Sequence, residues 1–299
     1  MSQLIKELFS TKALEVAEPG QAFWYTSGTF GPFYINTHYL YGSAGEAEQL
    51  LGDIENELDF MPSFYDRILT KIRAQLEKSA VYRKVINSAV KKIEDEFDLS
   101  QIDIISGGER RDFFFSIPLA DILKKPHLSV RKNGSTFLHS DKNTSDWDGT
   151  MLEKFNHSCI SQANLKDKTI LHVADIITLA SSWTNRWLPA VEKCCGSIEF
   201  GFAILDRCQG GLNVLAESGV ETCVLKQTDK DFFAAAVDEG ILTETQAEQA
   251  VVFLHDPVSY EREFFKINKK FIENEISQGG ENGERALLYR KRYQPEVGS

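Results

Sequence analysis

Apolar residues recur at helical spacing over the first hundred residues and again in the last third of the chain. In the segment 44–59, Ala47, Leu50 and Ile54 fall on one face of a helix, and charged residues occupy the other face. Such a stripe is typical of an amphipathic helix that packs on a core. The same spacing predicts helices at 2–17, 44–59, 63–97 (two helices), 230–238, 243–254 and 257–275.

The pattern changes between residues 102 and 228, where short apolar runs alternate with helical segments. Short runs separated by helices indicate βαβ units and a parallel sheet. We therefore predict an α/β fold with a five-stranded parallel core sheet flanked by helices. The predicted strands are 102–105, 127–131, 169–173, 197–205 and 221–225, with helices at 111–123, 182–195 and 209–218, and with 136–139 as one strand of a hairpin.

Composition and charge narrow the class of protein. The chain has 299 residues, 42% of them hydrophobic, which is enough for an ordinary globular core. Its formal net charge of −11 disfavours general nucleic-acid binding, because an acidic surface repels phosphate backbones. The five cysteines have no metal-ligand spacing, and no apolar run approaches the roughly 18 residues of a membrane span. We expect a cytoplasmic, reduced protein without nucleic-acid or membrane partners.

Candidate chemistry lies where the predicted parallel strands end. Ligands of open α/β sheets bind outside the carboxyl ends of the strands. In the segment 175–182, Asp175 is suited to hold ribose hydroxyls, and backbone amides at the start of the next helix are suited to bind a phosphate. The alternative is an ordinary strand-to-helix turn in which Ser182 caps the helix.

Two further segments at strand ends carry cations. In the segment 106–112, two glycines allow the backbone to approach a ligand, and Arg110 and Arg111 can pair with an anion. A tight turn with a solvated charge cluster is the alternative there. Arg131 and Lys132 open the polar stretch 132–150, which is either a lid that binds ligand or a long surface loop.

Taken in order, these segments resemble type I phosphoribosyltransferases, and orotate phosphoribosyltransferases most closely, over about residues 21–265. Residues 26–36, TSGTFGPFYIN, are similar to the N-terminal hood of that family. Residues 103–108, DIISGG, are similar to its strand and loop. Residues 173–182, VADIITLASS, are similar to the phosphoribosyl pyrophosphate signature, and 205–207, LDR, to a turn of the same sequence.

The resemblance implies a fold and a reaction. The fold is a type I phosphoribosyltransferase-like parallel sheet flanked by helices, with an N-terminal hood and extra helices. The reaction is a Mg²⁺-dependent pentosyl transfer, in which a pyrimidine base such as orotate displaces pyrophosphate and a nucleoside monophosphate forms. Positioning and charge stabilisation would supply most of the catalysis. The resemblance also implies a homodimer and a place in pyrimidine biosynthesis.

The resemblance assigns roles to individual residues. Asp175, Lys132 and Arg131 are the implied catalytic residues, with Asp175 on the ribose hydroxyls. Mg²⁺ is expected to bind through the substrate, with no direct protein ligand. The implied phosphoribosyl pyrophosphate site comprises Arg111, Arg131, Lys132, Asp175, Ile176, Ile177, Thr178, Leu179, Ala180, Ser181 and Ser182, and the implied base site comprises Thr26, Phe33, Tyr34, Ile35 and Arg207.

The chain departs from the family pattern at several of these positions. The signature has two consecutive acids, and Ala174 stands in place of the first. The phosphate loop usually contains a glycine, which 179–182 lacks, and a Cβ there disfavours close approach and a positive φ. Thr26 stands where a lysine is expected. These departures support a second hypothesis, a catalytically silent relative that binds a nucleotide or phosphoribosyl ligand as a regulator.

We predict a single domain over residues 1–276. Within it we place the hood at about 1–43, a helical insertion at about 44–99, the core at about 100–228 and C-terminal helices at about 229–276. A tail follows at 277–299, and its first residues, 277–285, are predicted to be a linker. A third hypothesis is that the added helices form the interface of a structural oligomer.

Overall fold

The computed structural model describes residues 2–140, 150–151 and 158–293. Its internal contacts divide the chain into two compact units. Our single-domain prediction for 1–276 stays a prediction, because a division by contacts does not test independent folding. Unit 1 comprises Met1–Phe9, Leu14–Asn36 and Asp229–Ser299, and unit 2 comprises Ser10–Ala13 and Thr37–Thr228.

Strands and helices alternate along unit 2 as the sequence predicts, and unit 1 contributes four short strands and further helices. The strands are β1 (Leu14–Val16), β2 (Phe23–Trp24), β3 (Phe30–Gly31), β4 (Phe33–Ile35), β5 (Ile104–Gly108), β6 (His127–Val130), β7 (Thr136–Ser140), β8 (Thr150–Met151), β9 (Ser158–Ser161), β10 (Thr169–Ile177), β11 (Ser197–Asp206) and β12 (Glu221–Gln227). The α-helices are α1 (Ser2–Ser10), α2 (Ala44–Glu57), α3 (Met61–Lys78), α4 (Ala80–Glu96), α5 (Phe113–Ile122), α6 (Leu188–Glu192), α7 (Gly211–Glu217), α8 (Lys230–Asp238), α9 (Glu244–His255), α10 (Pro257–Ile267), α11 (Phe271–Gln278) and α12 (Gly280–Tyr293).

One sheet organises unit 2. Its strands lie in the order β12-β11-β10-β5-β6-β7-β9-β8. The first five pair in parallel, which confirms the predicted five-stranded parallel core. The last three add an antiparallel extension, in which β7 pairs with β6 and confirms the predicted hairpin strand. The strand order reverses between β5 and β10, which is where such sheets bind ligands.

Helix α5 contacts the sheet and helices α3 and α4, and its residues from Phe113 to Ala120 are all buried. It contains Pro118, which has no N–H to donate to the carbonyl of Phe114 one turn earlier. The hydroxyl of the fully buried Tyr82 donates to that carbonyl instead. A single side chain from α4 thus satisfies the carbonyl that the proline leaves open.

Helices α3 and α4 confirm the two helices predicted in the segment 63–97. They meet at Ser79, whose side chain accepts a hydrogen bond of 3.2 Å from the backbone N–H of Tyr82. The hydroxyl therefore caps the start of α4. The buried face of α4 comprises Tyr82, Val85, Ile86, Ala89 and Ile93.

Unit 1 combines two short antiparallel strand pairs, β1 with β4 and β2 with β3, with the C-terminal helices. The ring of Phe30 lies 5.4 Å from the ring of Phe271 and 5.6 Å from the ring of Tyr289. Our prediction of a linker at 277–285 is wrong, because α12 begins at Gly280 and buries Ala286 and Tyr289. The aromatic cluster provides the apolar surface that makes this helix stable.

Two other predictions concern segments that the structure covers in part. The polar stretch 132–150 includes β7, but its residues 141–149 lie outside the described part of the chain, as do tail residues 294–299. Within the described residues, no helix is both long enough and apolar enough to span a membrane.

Candidate functional site

A cavity of about 340 Å³ opens in unit 2 at the carboxyl ends of β5 and β10. This position is the point at which the strand order reverses. The cavity brings the predicted loop 175–182 together with the predicted cations Arg111 and Lys132. Its wall consists of residues 109–112, Lys132, 174–183 and Trp187.

The loop after β10 makes its sharp turn without a glycine. Strand β10 ends at Ile177, and Ala180 then takes a φ of +54°, a left-handed conformation that costs an alanine about 1–2 kcal/mol. The neighbouring loop holds this turn: the carbonyl of Ile177 accepts the N–H of Arg207 at 2.9 Å, and that of Thr178 accepts the N–H of Gly211 at 3.0 Å. The missing glycine therefore does not prevent the positive φ, because tertiary hydrogen bonds fix the backbone on both sides.

Hydroxyl groups of this loop remain open to the cavity. Ser182 already has helical dihedral angles, and its side chain makes no capping hydrogen bond. The alternative in which Ser182 caps the helix is therefore wrong. Ser181 and Ser182 are exposed, Thr178 is half-buried, and the side chain of Leu179 is 60% exposed. The helical segment continues through a π-helical turn at Trp183–Trp187, an irregularity that is frequent at functional sites.

Two carboxylates meet at the floor of the cavity. Asp175 belongs to β10, and Asp112 comes from the loop between β5 and α5. One carboxylate oxygen of Asp112 accepts the backbone N–H of Asp175 at 3.0 Å, and the other accepts the N–H of Gly108 at 3.1 Å. Burial raises the pKa of both carboxyls; at Asp112 the Asp175 charge adds to the rise, and at Asp175 the Arg111 charge partly offsets it. Together the pair favours retention of a proton.

A buried histidine lies under this pair. Nδ1 of His172 is 2.8 Å from the hydroxyl of Ser106, and Nε2 lies 3.9 Å from a carboxylate oxygen of Asp112. The His172 ring packs against Trp183, with 4.4 Å between ring centroids. Burial lowers the pKa of His172 to about 3, so the ring is neutral at physiological pH. It lies inside β10 and is fully buried, as a core residue is.

The two glycines at the end of β5 are required because a side chain would not fit there. A Cβ on Gly108 would lie 2.5 Å from the ring of Trp187 and 2.7 Å from the carboxylate of Asp112. A Cβ on Gly107 would lie 2.1 Å from the Ser116 hydroxyl. These glycines therefore allow the cavity floor and α5 to approach the strand, as close-packed interiors require.

The predicted cations divide into two groups. Arg111 and Lys132 line the cavity. Arg131 instead points away, since its guanidinium donates to the carbonyl of Leu58 at 2.6 Å and lies 3.4 Å from the Glu109 carboxylate. Glu109 also accepts the backbone N–H of Lys132 at 3.2 Å. Among the described residues, Arg131 thus orders the loop that carries Lys132 and does not line the cavity wall.

The turn after β11 is anchored by its acid. Asp206 is buried, and its carboxylate accepts the N–H of Cys208 at 3.0 Å and the side-chain amide of Gln227 at 3.1 Å. Arg207 is half-buried and braces Ile177 through its backbone. Its guanidinium is not part of the described cavity wall, so a role in base binding stays a prediction.

The other predicted base-site residues belong to unit 1. Phe33 is fully buried between Phe233 and Phe253, with ring centroids 5.5 Å and 5.6 Å away, and it offers no ring face to a base. Tyr34 is half-buried and stacks on Tyr25 at 6.2 Å. Ile35 is half-buried and pairs with β1, and Thr26 is exposed.

Sequence reasoning missed Asp112 as a site residue. The residue lies next to the two arginines of the segment 106–112, and a cluster of solvated charges accounts for it equally well. A usable signal is its position immediately before the apolar helix α5. A carboxylate at that boundary is costly to bury unless it serves the site or the backbone amides around it.

The fold is shared with phosphoribosyltransferases. No family model matches the chain, and no curated protein matches it in sequence. The chain is similar in structure to UMP synthase of Leishmania donovani, with a TM-score of 0.53 and 12% identity, covering 85% of this chain and 42% of that one. It is also similar to orotate phosphoribosyltransferase of Francisella tularensis, with a TM-score of 0.51 and 12% identity, covering 84% and 96%. The chain thus has the mixed α/β fold of phosphoribosyltransferases, as predicted.

Proposed function

We propose that this protein is a phosphoribosyltransferase of the orotate type, which converts phosphoribosyl pyrophosphate and a pyrimidine base into a nucleoside monophosphate and pyrophosphate. The observation that carries the proposal is the cavity at the strand-order reversal, where acidic side chains, a hydroxyl-rich loop and cationic side chains line one space. Each has a partner on such a substrate: ribose hydroxyls for the acid, the 5′-phosphate for the loop and pyrophosphate for the cations.

The residues of the cavity supply positioning and charge. Asp175 accepts hydrogen bonds from ribose hydroxyls, and Thr178, Ser181 and Ser182 offer hydroxyls to the 5′-phosphate. The bond between the anomeric carbon and pyrophosphate breaks with its electron pair on the leaving oxygen. A base nitrogen bonds to that carbon and gives up its proton to the released pyrophosphate or to water. Arg111 and Lys132 stabilise the charge that develops on pyrophosphate. Lys132 is therefore the implied catalytic cation, and Arg131 acts through the Glu109 bridge.

Mg²⁺ fits this arrangement as an ion that binds through the substrate, without a direct protein ligand. Among the described residues, no cluster of three or more His, Cys, Asp or Glu side chains is suited to hold a metal ion. Mg²⁺ takes oxygen ligands and is often bound mainly through substrate phosphates. Bound in this way, Mg²⁺ would supply positive charge to the pyrophosphate, and Asp175 orients the ribose.

A second candidate is the silent relative that binds a phosphoribosyl ligand without turnover. Two observations favour it. Ala174 contributes no carboxylate to the cavity wall, and Arg131 is held by Leu58 and Glu109 rather than turned to the ligand. Loop amides and serine hydroxyls remain in place, so this candidate keeps binding and loses chemistry.

One experiment separates the candidates. Phosphoribosyl pyrophosphate and Mg²⁺ are titrated into the protein by calorimetry, and pyrophosphate release is then measured with orotate and a panel of other bases. Binding with release in the presence of orotate supports the proposed enzyme. If pyrophosphate is released only with another base, that base and not orotate is the substrate. Binding without release supports the silent relative. Absence of binding contradicts both.

The proposal includes a homodimer, as in the resemblance. Sedimentation velocity on the whole chain measures it directly: a species near twice 33.8 kDa is expected. A single species at the monomer mass contradicts the dimer but leaves the proposed reaction intact.

A further inference from the structure

We propose that Asp112 contacts the ligand directly, and that Asp112 and Asp175 together form a subsite for two adjacent hydroxyl groups of a sugar phosphate. This inference rests on the proposed function and extends it, because it assigns a binding role to a side chain from the loop between β5 and α5. The hydroxyl-binding site is thereby built from two loops instead of one.

The position of the Asp112 carboxylate supports direct contact with a ligand. It lines the same cavity as Asp175, and its side chain is 13% exposed, toward that cavity. Its two oxygens accept one backbone N–H each, from Gly108 and Asp175. A carboxylate has about four lone-pair sites. Asp112 is therefore fixed in place and still has acceptor capacity for a ligand.

The residue before Asp175 on β10 contributes no carboxylate to the cavity wall. Ala174 lines the cavity with a methyl group and is nearly fully buried. Asp112 stands beside Asp175, because one oxygen of its carboxylate accepts the backbone N–H of Asp175 at 3.0 Å. The neighbouring loop thus brings a second carboxylate to the place where the strand itself provides none.

A buried nitrogen lies beside the pair of carboxyls, Asp112 and Asp175. Nε2 of His172 has no hydrogen-bond partner among the described residues, and the ring is fully buried. It faces Asp112 at 3.9 Å, and the contacts with Ser106 and Trp183 keep it there. Buried polar groups normally have partners. Because no described residue satisfies this nitrogen, the Asp112 side of the cavity has hydrogen-bonding capacity that a ligand can complete.

The chemistry that fits is a pair of hydroxyl donors. Two carboxyls that share one proton carry about one negative charge, and they have several free acceptor positions. Two neighbouring O–H groups of a ribose can donate to them at once. A ligand that lacks one hydroxyl would leave part of a buried carboxyl pair without a partner, which is the situation that gives strong discrimination.

The test compares ribose 5-phosphate with 2-deoxyribose 5-phosphate, each titrated with Mg²⁺ into the wild-type protein and into Asp112→Asn. We expect the wild type to prefer the ribose compound by about tenfold or more, and the ratio to fall to about threefold or less in the variant. The matched control is Asp103→Asn, because Asp103 also accepts a backbone N–H, from Thr169 at 2.9 Å, but lies before β5. Its ratio should equal that of the wild type.

A purely structural role for Asp112 predicts a different result. It would weaken both compounds equally and leave the ratio unchanged, which would overturn the inference. Adding Ala174→Asp to Asp112→Asn should restore the preference if a second carboxylate is what matters. Failure of that rescue, in a variant with wild-type circular dichroism, would also count against it.

A measurement on the wild type covers the case in which the variants do not fold. Carbodiimide labelling of carboxyls is read by peptide mass spectrometry, with and without ribose 5-phosphate. Protection of both Asp112 and Asp175 is expected, and protection of Asp175 alone would overturn the inference. If the wild type does not bind phosphoribosyl pyrophosphate at all, the proposed function fails and this inference fails with it; if it binds and the hydroxyl ratio is insensitive to Asp112, only this inference fails.

Discussion

The loops at the carboxyl end of the sheet and the aromatic strands of unit 1 use their side chains in opposite ways. At the sheet end, two glycines, an alanine and two serines leave space, and the charged groups Asp112, Asp175 and Arg111 line a cavity. In unit 1, Phe33 and its aromatic neighbours fill the space between strands and helices. Small and polar residues at strand ends open a site, whereas aromatic residues at strand positions close a core.

We expect the buried aromatic side chains of unit 1 to determine the free energy of unfolding and not the affinity for phosphoribosyl pyrophosphate. Phe33→Ala should lower the free energy of unfolding by about 3–5 kcal/mol, because a buried ring is removed and a cavity remains. Denaturant unfolding measures this, and calorimetry on the folded variant should give wild-type affinity for phosphoribosyl pyrophosphate. The control is the exposed Thr26→Ala, which should change stability little. A stable Phe33→Ala with weakened base binding would show that the ring is part of a base site.

The reciprocal change is at the sheet end. Asp175→Ala should lower the affinity for phosphoribosyl pyrophosphate by at least about a hundredfold, or about 2.8 kcal/mol. Stability should be kept, because burial already raises the pKa of this carboxyl and its removal relieves that desolvation. Calorimetry and circular dichroism test both halves, with Asp103→Ala as the control acid at the opposite end of β5. Unchanged affinity would mean that this loop is not the ligand site.

Gly108 should affect both properties at once. Gly108→Ala places a Cβ within 2.5 Å of Trp187 and 2.7 Å of the Asp112 carboxylate. Overpacking of this kind costs about 1–3 kcal/mol of stability, and displacement of Asp112 should weaken ligand binding as well. Gly134→Ala is a useful comparison, since no atom would crowd the new Cβ although its φ is +83°. Equal affinity in Gly108→Ala and the wild type would show that Asp112 is not displaced or not needed.

The smallest effect is expected at Ala180. Ala180→Gly removes the cost of a left-handed alanine, about 1–2 kcal/mol. It also raises the conformational entropy of the unfolded chain, which lowers the stability of the fold by about 0.4–1 kcal/mol. The net gain in stability should therefore lie between about 0 and 1.6 kcal/mol, measured by denaturant unfolding. The matched change at another positive φ, Lys124→Gly, should give a similar shift without altering phosphate affinity. A clear loss of stability at Ala180 would show that its methyl group, which is 95% buried, contributes to packing.

Much of the fold could be predicted because its elements follow from local patterns. The stripe from Val85 to Ile93 indicated α4, and the alternation after residue 102 indicated the parallel sheet. The linker prediction at 277–285 failed because Gly279, Gly280 and polar residues suggested a break. Burial of Tyr289 against Phe30 stabilises α12 there, and that contact joins residues far apart in the sequence.

The sequence by itself determined the α/β order and the position of polar segments at the strand ends, because residue spacing and glycine placement act locally. It also predicted Asp175, Arg111 and Lys132 as ligand-binding residues, and the three line one cavity. Only the tertiary structure decided that Asp112 stands beside Asp175, that Arg131 turns to Leu58, and that Ala180 holds a positive φ. Each of these depends on a hydrogen bond or a packed neighbour from another part of the chain, and no pattern of adjacent residues records which neighbours those will be.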